Sequence, residues 1–343
     1  MSQQINIQVR PNGHNYAIEN FRGAAIVFVV LTHLQFASRF ENSQLVEFAI
    51  SNGTTFFVFI AGLLFFWTER NRFSHGPFLA KKLRTVVVPF LIFSTPGILY
   101  ALYLQQNKLL GLTDLHYSIW AYFTGFNVLR QLWFVPMIFC FYLLAPLFLR
   151  AGRTSNTFAL ISITATLLTF SLYSDRSMAN VNPIYQTIHF AGVFMLGVAF
   201  AARYTIVLRY KREIAVCGII AFFASLMFVP TERPQFFVDS LFLLNMSLLN
   251  KLGLAFALLF GFECFLNKKN VLLGYLAEIS FGLFFAHTAV RWVIFKFIDS
   301  EIFADSPVLY SLLEIGSVFI VSIILIELLR LTLKSRSKYV IGC

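Results

Sequence analysis

The chain has 343 residues, of which 58% are hydrophobic and only 13% are charged, and its formal net charge is +11. A soluble domain carries about 25% charged residues, so this composition excludes a soluble globular protein and indicates an integral membrane protein. In a membrane protein a basic balance is explained by positively charged cytoplasmic loops, and we expect no nucleic acid partner.

Ten apolar stretches are candidates for transmembrane helices, because each approaches the roughly 20 apolar residues that a span requires. In chain order they cover residues 22–40, 47–67, 85–104, 132–149, 157–173, 187–202, 214–229, 241–265, 274–297 and 307–331. Residues 111–127 are amphipathic and aromatic, which predicts an interfacial segment. With the N-terminus inside, most Lys and Arg residues fall on the inner loops. The positive-inside rule then predicts that both ends of the chain are cytoplasmic.

The predicted fold class is therefore all-α, a polytopic membrane protein with about ten transmembrane helices. No connection is long enough for a soluble domain, so residues 1–343 are predicted to form a single membrane domain. Residues 1–20 form a polar N-terminal segment, and residues 332–343 form a cytoplasmic tail. The polar start is unlike a cleaved signal peptide, so the first apolar stretch is expected to be a retained helix.

The first span carries three polar groups, Glu19, Arg22 and His33, into an otherwise apolar helix. Such groups are costly in a membrane and often serve a function. Arg22 and His33 are about three helical turns apart, so they share one face, roughly 16 Å apart along the axis. Glu19 and Arg22 have the spacing of an ion pair on a helix. The ordinary alternatives are an interfacial arginine and a histidine that bonds a neighbouring helix.

A basic cluster, Lys81, Lys82 and Arg84, precedes the third span, in which Pro89 is expected to introduce a kink. The cluster is either a positive-inside anchor or a clamp for phosphate groups. Glu278, near the cytoplasmic end of the ninth span, is a candidate partner for it.

Further polar and aromatic residues mark two later spans. Ser280 and His287 in the ninth span are seven positions apart and lie on one helix face. A buried histidine of this kind needs a polar partner. Trp133, at the start of the fourth span, is either an interfacial anchor or part of a site. The four cysteines show no metal-type spacing, and we predict no metal.

These residues resemble the acyltransferase 3 family of bacterial membrane O-acyltransferases. That family opens with an acid, two residues, Arg-Gly, and ten residues between the arginine and a histidine. Glu19, Arg22, Gly23 and His33 fit this form, with Glu19 where the family more often has Asp. Four later stretches are also similar: Phe56 to Leu64 with Ala61 in place of Ser, Lys81 to Arg84, Leu132 to Phe134, and Ser280 to His287 with Phe in place of two tyrosines. Ala61 and Gly62 also suit a small-residue packing groove.

The resemblance covers roughly residues 16–330 and implies an O-acyltransferase with acyl-CoA, expected to be acetyl-CoA, as its donor substrate and no tightly bound cofactor. It implies that Lys81 or Lys82, together with Arg84, binds the donor phosphates. His33 would act as general base or acyl relay, with Glu19 and Arg22 beside it. The substrate site would be lined by Trp133, Ser280 and His287.

The implied acceptor is a sugar hydroxyl of a surface polysaccharide, O-antigen, exopolysaccharide or lipid-linked precursor, in the bacterial inner membrane. Two other classes compete with this interpretation. A transporter of a glycolipid or sugar also suits buried arginine and histidine, but it predicts broken helices in two matching halves, and the sequence shows no such symmetry. If the protein were a purely structural subunit, the face of the first span that carries Arg22 and His33 would have no function.

Overall fold

A computed structural model describes residues 14–34, 43–51, 53–106, 129–154, 156–172, 182–227, 246–297 and 306–343. All regular secondary structure in these ranges is helical, which confirms the predicted all-α class. The predicted interfacial segment 111–127 and residues 1–13 of the N-terminal segment lie outside the described residues.

The described residues form sixteen α-helices. In chain order they are α1 (Tyr16–His33), α2 (Ser43–Ile50), α3 (Gly53–Glu69), α4 (His75–Lys82), α5 (Val88–Gln106), α6 (Phe134–Leu143), α7 (Ala145–Thr154), α8 (Asn156–Leu172), α9 (Pro183–Ala202), α10 (Tyr204–Arg209), α11 (Lys211–Leu226), α12 (Met246–Phe265), α13 (Val271–Glu278), α14 (Ser280–Phe297), α15 (Pro307–Leu333) and α16 (Ser337–Val340). A π-helical turn (Leu83–Val87) joins α4 to α5, and 3-10 turns precede α6 (Arg130–Trp133) and α16 (Lys334–Arg336).

Fewer helices than predicted have the length and composition of a membrane span. Five stretches in the described residues qualify alone: Leu45–Glu69, His75–Leu99, Pro183–Ala202, Leu248–Phe265 and Val308–Val340. Two bent pairs qualify only together: Gln131–Leu143 with Ala145–Arg153 at 57°, and Val271–Glu278 with Ser280–Lys296 at 76°. The described chain thus holds five to seven candidate spans, and the predicted ten are not confirmed. Two predicted spans form only α8 and α11, of 17 and 16 residues, which are shorter than a typical span of about 20.

Helix α1 lies inside the bundle, where it packs against α3, α12, α13 and α14. Phe21 and Ile26 on this helix are almost completely buried. Gly23 allows a close approach to α13, since a Cβ atom there would stand 2.2 Å from the carbonyl oxygen of Leu273. The helix that carries the predicted site residues is therefore held by other helices along much of its length.

The small-residue groove of α3 has the packing role that its sequence predicts. A Cβ on Gly62 would lie 2.2 Å from the carbonyl oxygen of Phe194, and one on Gly197 would lie 2.2 Å from that of Phe59. The backbones of α3 and α9 therefore touch, as small residues permit in helix pairs.

Pro89 affects the helix before it by widening one turn. Proline has no N–H, and its ring clashes with the carbonyl group four residues earlier in a regular helix. Here Leu83–Val87 form a π-helical turn, and the N–H of Val88 donates to the carbonyl oxygen of Leu83. The predicted perturbation thus takes the form of a π turn directly after the basic cluster.

The tail after α15 packs against other helices. Lys334 has a positive φ of 50°, and the α16 helix that follows packs against α5 and the π-helical turn. Gly342, with φ +77°, lies against the ring of Phe281. The predicted tail 332–343 therefore begins within α15 and is packed against the helices that carry the basic cluster and Ser280.

Candidate functional site

The start of α1 is fixed by a buried polar network. The Asn15 side chain accepts a hydrogen bond from the N–H of Ile18 and caps the helix. Its amide nitrogen donates to the Tyr204 hydroxyl at 2.5 Å and to Glu263 Oε1 at 3.1 Å. Tyr204 also donates to Glu263, and burial, together with this carboxylate, raises the pKa of the Tyr204 hydroxyl. Because Tyr204 stays protonated, the network clamps the first turn of α1 to α10 and α12.

One turn further on, Arg22 binds α14. Its Nε donates to Ser280 Oγ at 3.0 Å, and Ser280 Oγ donates in turn to the carbonyl oxygen of Ala277 at 2.8 Å. Ser280 is completely buried. Both groups therefore have partners, and the contact links α1 to the first residue of α14.

Two predicted ion pairs form with other partners. Glu19 lies 2.9 Å from His14 Nε2, so its direct contact is with His14, and it acts on Arg22 only from a greater distance. Glu278 was expected to face the basic cluster, but it forms an ion pair with Arg330. In both cases the carboxylate contacts a residue other than the one predicted from its position in the sequence.

His33 and His287 meet at the other end of the same helix pair. Their ring centroids are 5.3 Å apart, and the ring planes are tilted by 45°. Helix α1 thus contacts α14 twice, through Arg22 and Ser280 and again through the two histidines. The shared face of Arg22 and His33 predicted from the sequence is the face that α14 covers.

The protonation of His287 follows from its hydrogen bond. Its Nδ1 lies 2.7 Å from the carbonyl oxygen of Leu283, and a carbonyl oxygen can only accept, so Nδ1 carries the hydrogen. Nε2 then holds a lone pair. The ring is completely buried, and no group among the described residues bonds Nε2.

A cavity of about 20 Å³ opens beside His33. Its polar lining consists of His33, Thr54 and Gln131, and its apolar lining consists of Val29, Phe57, Trp133, Phe134 and Phe284. Trp133 stacks on Phe190 with centroids 6.1 Å apart, so its indole forms a fixed wall. Trp133 therefore lines the cavity, whereas Ser280 binds Arg22; a contact of Trp133 with substrate stays a prediction.

Gln131 is a cavity residue that the sequence interpretation missed. It is only 1% exposed, and its Nε2 donates a long hydrogen bond of 3.5 Å to the carbonyl oxygen of Phe285. No donor among the described residues reaches its Oε1. In the sequence it is an uncharged residue next to an apolar span, and the only signal was an amide placed directly before Leu132 and Trp133.

In the basic cluster, one side chain makes cation–π contacts and two are exposed. Lys82 Nζ lies 4.8 Å from the ring centroid of Tyr142 and 5.5 Å from that of Phe78, which is a cation–π arrangement. Lys81 and Arg84 are exposed. The side chains of Lys81 and Arg84 are therefore available to an anionic ligand, and that of Lys82 is partly occupied.

The folded tail lies between the basic cluster and the Arg22 end of α1. Helix α16 packs on the π-helical turn that contains Arg84, and Cys343 Sγ lies against Gly282. Cys343 is also close enough to Arg22 to interact with it electrostatically. The predicted donor-binding residues and Arg22 are thus at the same end of the bundle, and His33 with the cavity lies at the other end of α1.

Comparison with known proteins supports one assignment. The family model of the acyltransferase 3 domain, described as an acyltransferase domain, matches residues 15–327. No curated protein and no solved structure gives a significant match. The matched range contains every predicted site residue, from Glu19 to His287. The chain therefore belongs to the acyltransferase 3 family and is a membrane acyltransferase.

Proposed function

We propose that this protein transfers a short acyl group, normally acetyl, from cytoplasmic acyl-CoA to a sugar hydroxyl. The acceptor is part of a surface polysaccharide, an O-antigen, an exopolysaccharide or a lipid-linked precursor, and the protein works in the bacterial inner membrane. The observation that carries the proposal is that His33 lines a cavity on a helix whose other end holds Arg22.

The donor binds at the basic end of the bundle. Lys81 and Arg84 are exposed and suit the phosphate groups of coenzyme A, since guanidinium and ammonium groups are their usual ligands. Lys82, which lies over Tyr142, contributes less. In the proposal Arg22 and Glu19, near the start of α1, contact the bound donor, and Ser280 holds Arg22 in place.

His33 acts as the general base. It takes the proton of the acceptor hydroxyl while the hydroxyl oxygen forms a bond to the thioester carbonyl carbon. The carbon–sulfur bond then breaks, and the coenzyme A thiolate receives the proton from His33. Gln131 Oε1, which no described residue bonds, accepts a hydrogen bond from the acceptor before the reaction. In the alternative relay, His33 itself carries the acyl group, and an acyl-enzyme would be isolated.

The cavity favours a small acyl group. A volume of about 20 Å³ exceeds the roughly 10–15 Å³ that one water molecule needs, but it leaves no room for a long chain. Phe57, Trp133 and Phe284 close the walls around it. This small volume supports acetyl as the donor group of the proposal.

The test uses membranes from the native host, lacking its own copy of the protein and supplied with wild type or variants. We expect His33→Ala to abolish transfer of label from [14C]acetyl-CoA to the glycan and lipid fractions at a normal protein level. His189→Ala is the control, because His189 is another helical histidine, itself buried, that lies outside the cavity lining. Transfer rates should fall from acetyl- to butyryl- to octanoyl-CoA.

Undiminished transfer by His33→Ala would remove His33 from the mechanism. Absence of acyl-CoA binding and hydrolysis in the purified wild type would instead support a transporter.

A further inference from the structure

We infer that His287 is a positioning residue whose Nε2 accepts a hydrogen bond from His33 during acyl transfer. The inference rests on the proposed role of His33 as general base. It goes beyond a substrate-lining role, because it assigns His287 a contact with the base itself.

The first support is geometric. The two rings are 5.3 Å apart between centroids, so a rotation of the His33 ring can bring one of its nitrogens to hydrogen-bond distance of His287 Nε2. His287 is completely buried. Its neighbours Phe284 and Phe285 pack edge to face with centroids 5.2 Å apart. The segment of α14 that carries the His287 ring is therefore tightly packed.

The second support is the state of the His287 ring. Nδ1 donates to the carbonyl oxygen of Leu283 at 2.7 Å, which leaves Nε2 as an acceptor. A buried acceptor without a donor costs about 1–3 kcal/mol, and no described residue supplies one. A group kept in this condition beside His33 is explained if its partner forms during the reaction.

The chemistry follows from these two points. An N–H of His33 directed at His287 Nε2 leaves the other His33 nitrogen with a lone pair, which is the form that can take a proton. When His33 has taken the hydroxyl proton, the imidazolium keeps its N–H bonded to Nε2 of His287. No covalent bond of His287 changes, and the proton leaves His33 for the coenzyme A thiolate. An orienting group of this type serves the histidine of hydrolytic triads.

The experiment compares wild type with His287→Phe and His287→Gln, using [14C]acetyl-CoA and the same host membranes. Phe keeps a ring of similar size but has no acceptor, whereas Gln keeps an acceptor oxygen. We expect His287→Phe to lower the maximal transfer rate about tenfold to hundredfold, the factor implied by losing one hydrogen bond to a charged group. The KM for acetyl-CoA should not change, and His287→Gln should keep more of the rate than His287→Phe.

A second arm separates hydrogen bonding from packing. Imidazole added to His287→Ala should restore part of the transfer, because it fills the site and offers an acceptor nitrogen. Pyrrole has the same ring size but no acceptor, so it should not restore transfer. Equal restoration by both compounds, or full activity of His287→Phe, would overturn the inference while leaving acyl transfer by His33 intact. Retained transfer by His33→Ala would overturn the proposed mechanism itself.

Discussion

The two contacts between α1 and α14 differ in how completely their polar groups are paired. At one contact Arg22 donates to Ser280, and Ser280 donates to a backbone carbonyl group. At the other, His287 Nε2 and Gln131 Oε1 have no donor among the described residues, and His33 and Gln131 line a cavity. Buried polar groups are normally paired, so the first contact has the properties of a structural joint and the second those of a reaction site.

The comparison also explains why the two ends of α1 need not touch. Arg22 and His33 are about three turns apart, too far for direct contact. On α14 their partners Ser280 and His287 are about two turns apart, and they contact Arg22 and His33 respectively. The contact of Arg22 with Ser280 can therefore hold the helix pair in register, and the proposed function places the chemistry at the contact of the two histidines.

Among the substitutions that test this difference between the two contacts, the largest loss of acetyl transfer is expected at Gln131. Gln131→Leu removes the unpaired acceptor but keeps a similar side-chain volume, so transfer of [14C]acetyl should fall about tenfold to hundredfold, as for one lost hydrogen bond to a reacting group. The melting temperature should not fall, because no satisfied hydrogen bond of normal length is lost.

Asn250→Leu is the matched control for Gln131→Leu. Asn250 is also 1% exposed and also has an unpaired amide oxygen, but it lies in α12 and donates to Ser225 at 3.1 Å. Its substitution should lower stability without a selective loss of transfer. A similar loss of transfer per folded molecule in both variants would contradict the assignment of Gln131.

A smaller effect is expected in the basic cluster. Lys81→Ala and Arg84→Ala should each raise the KM for acetyl-CoA about threefold to tenfold, because exposed charge pairs are individually weak. Lys82→Ala should change this KM less, since its ammonium group lies over Tyr142. Initial rates at several donor and salt concentrations measure the difference, and an effect of Lys82→Ala larger than that of Arg84→Ala would reverse the assignment.

The smallest effect on activity is expected at the paired contact. Ser280→Ala leaves the partly buried Arg22 without its acceptor and should lower the free energy of unfolding by about 1–3 kcal/mol. Transfer per folded molecule should change little. Ser317→Ala is the control, because Ser317 donates only to a carbonyl group of its own helix. Thermal unfolding in detergent provides the measurement, and a selective loss of transfer at unchanged stability would place Ser280 in the chemistry.

Several features of the site were predictable from residue type and spacing. Glu19, Arg22, His33, Ser280 and His287 stand out because each interrupts an apolar run. The family followed from their order and spacing, and the match over residues 15–327 confirms it. The helical class was predictable from composition, but the number of spans was not, because hydropathy cannot show where a stretch bends, as at the 76° bend between α13 and α14.

Partners were harder to predict than residues. Position on a helix predicted Glu19 beside Arg22, yet Glu19 contacts His14 and Arg22 contacts Ser280. Gln131 gave almost no signal, since a neutral amide beside an interfacial tryptophan is ordinary. Its role as a cavity residue became visible only once the 3-10 turn was seen to pack on α14.

The sequence by itself determined that the chain is a membrane protein, that one face of α1 carries Arg22 and His33, and which family it belongs to. Those properties depend on composition and on the fixed geometry within a helix. Only the tertiary structure decided that α14 covers this face, that His287 lies beside His33 and that Gln131 completes the cavity. Those properties depend on which helices touch and at what angle, and these are set by packing contacts such as the one at Gly23, between residues far apart in the chain.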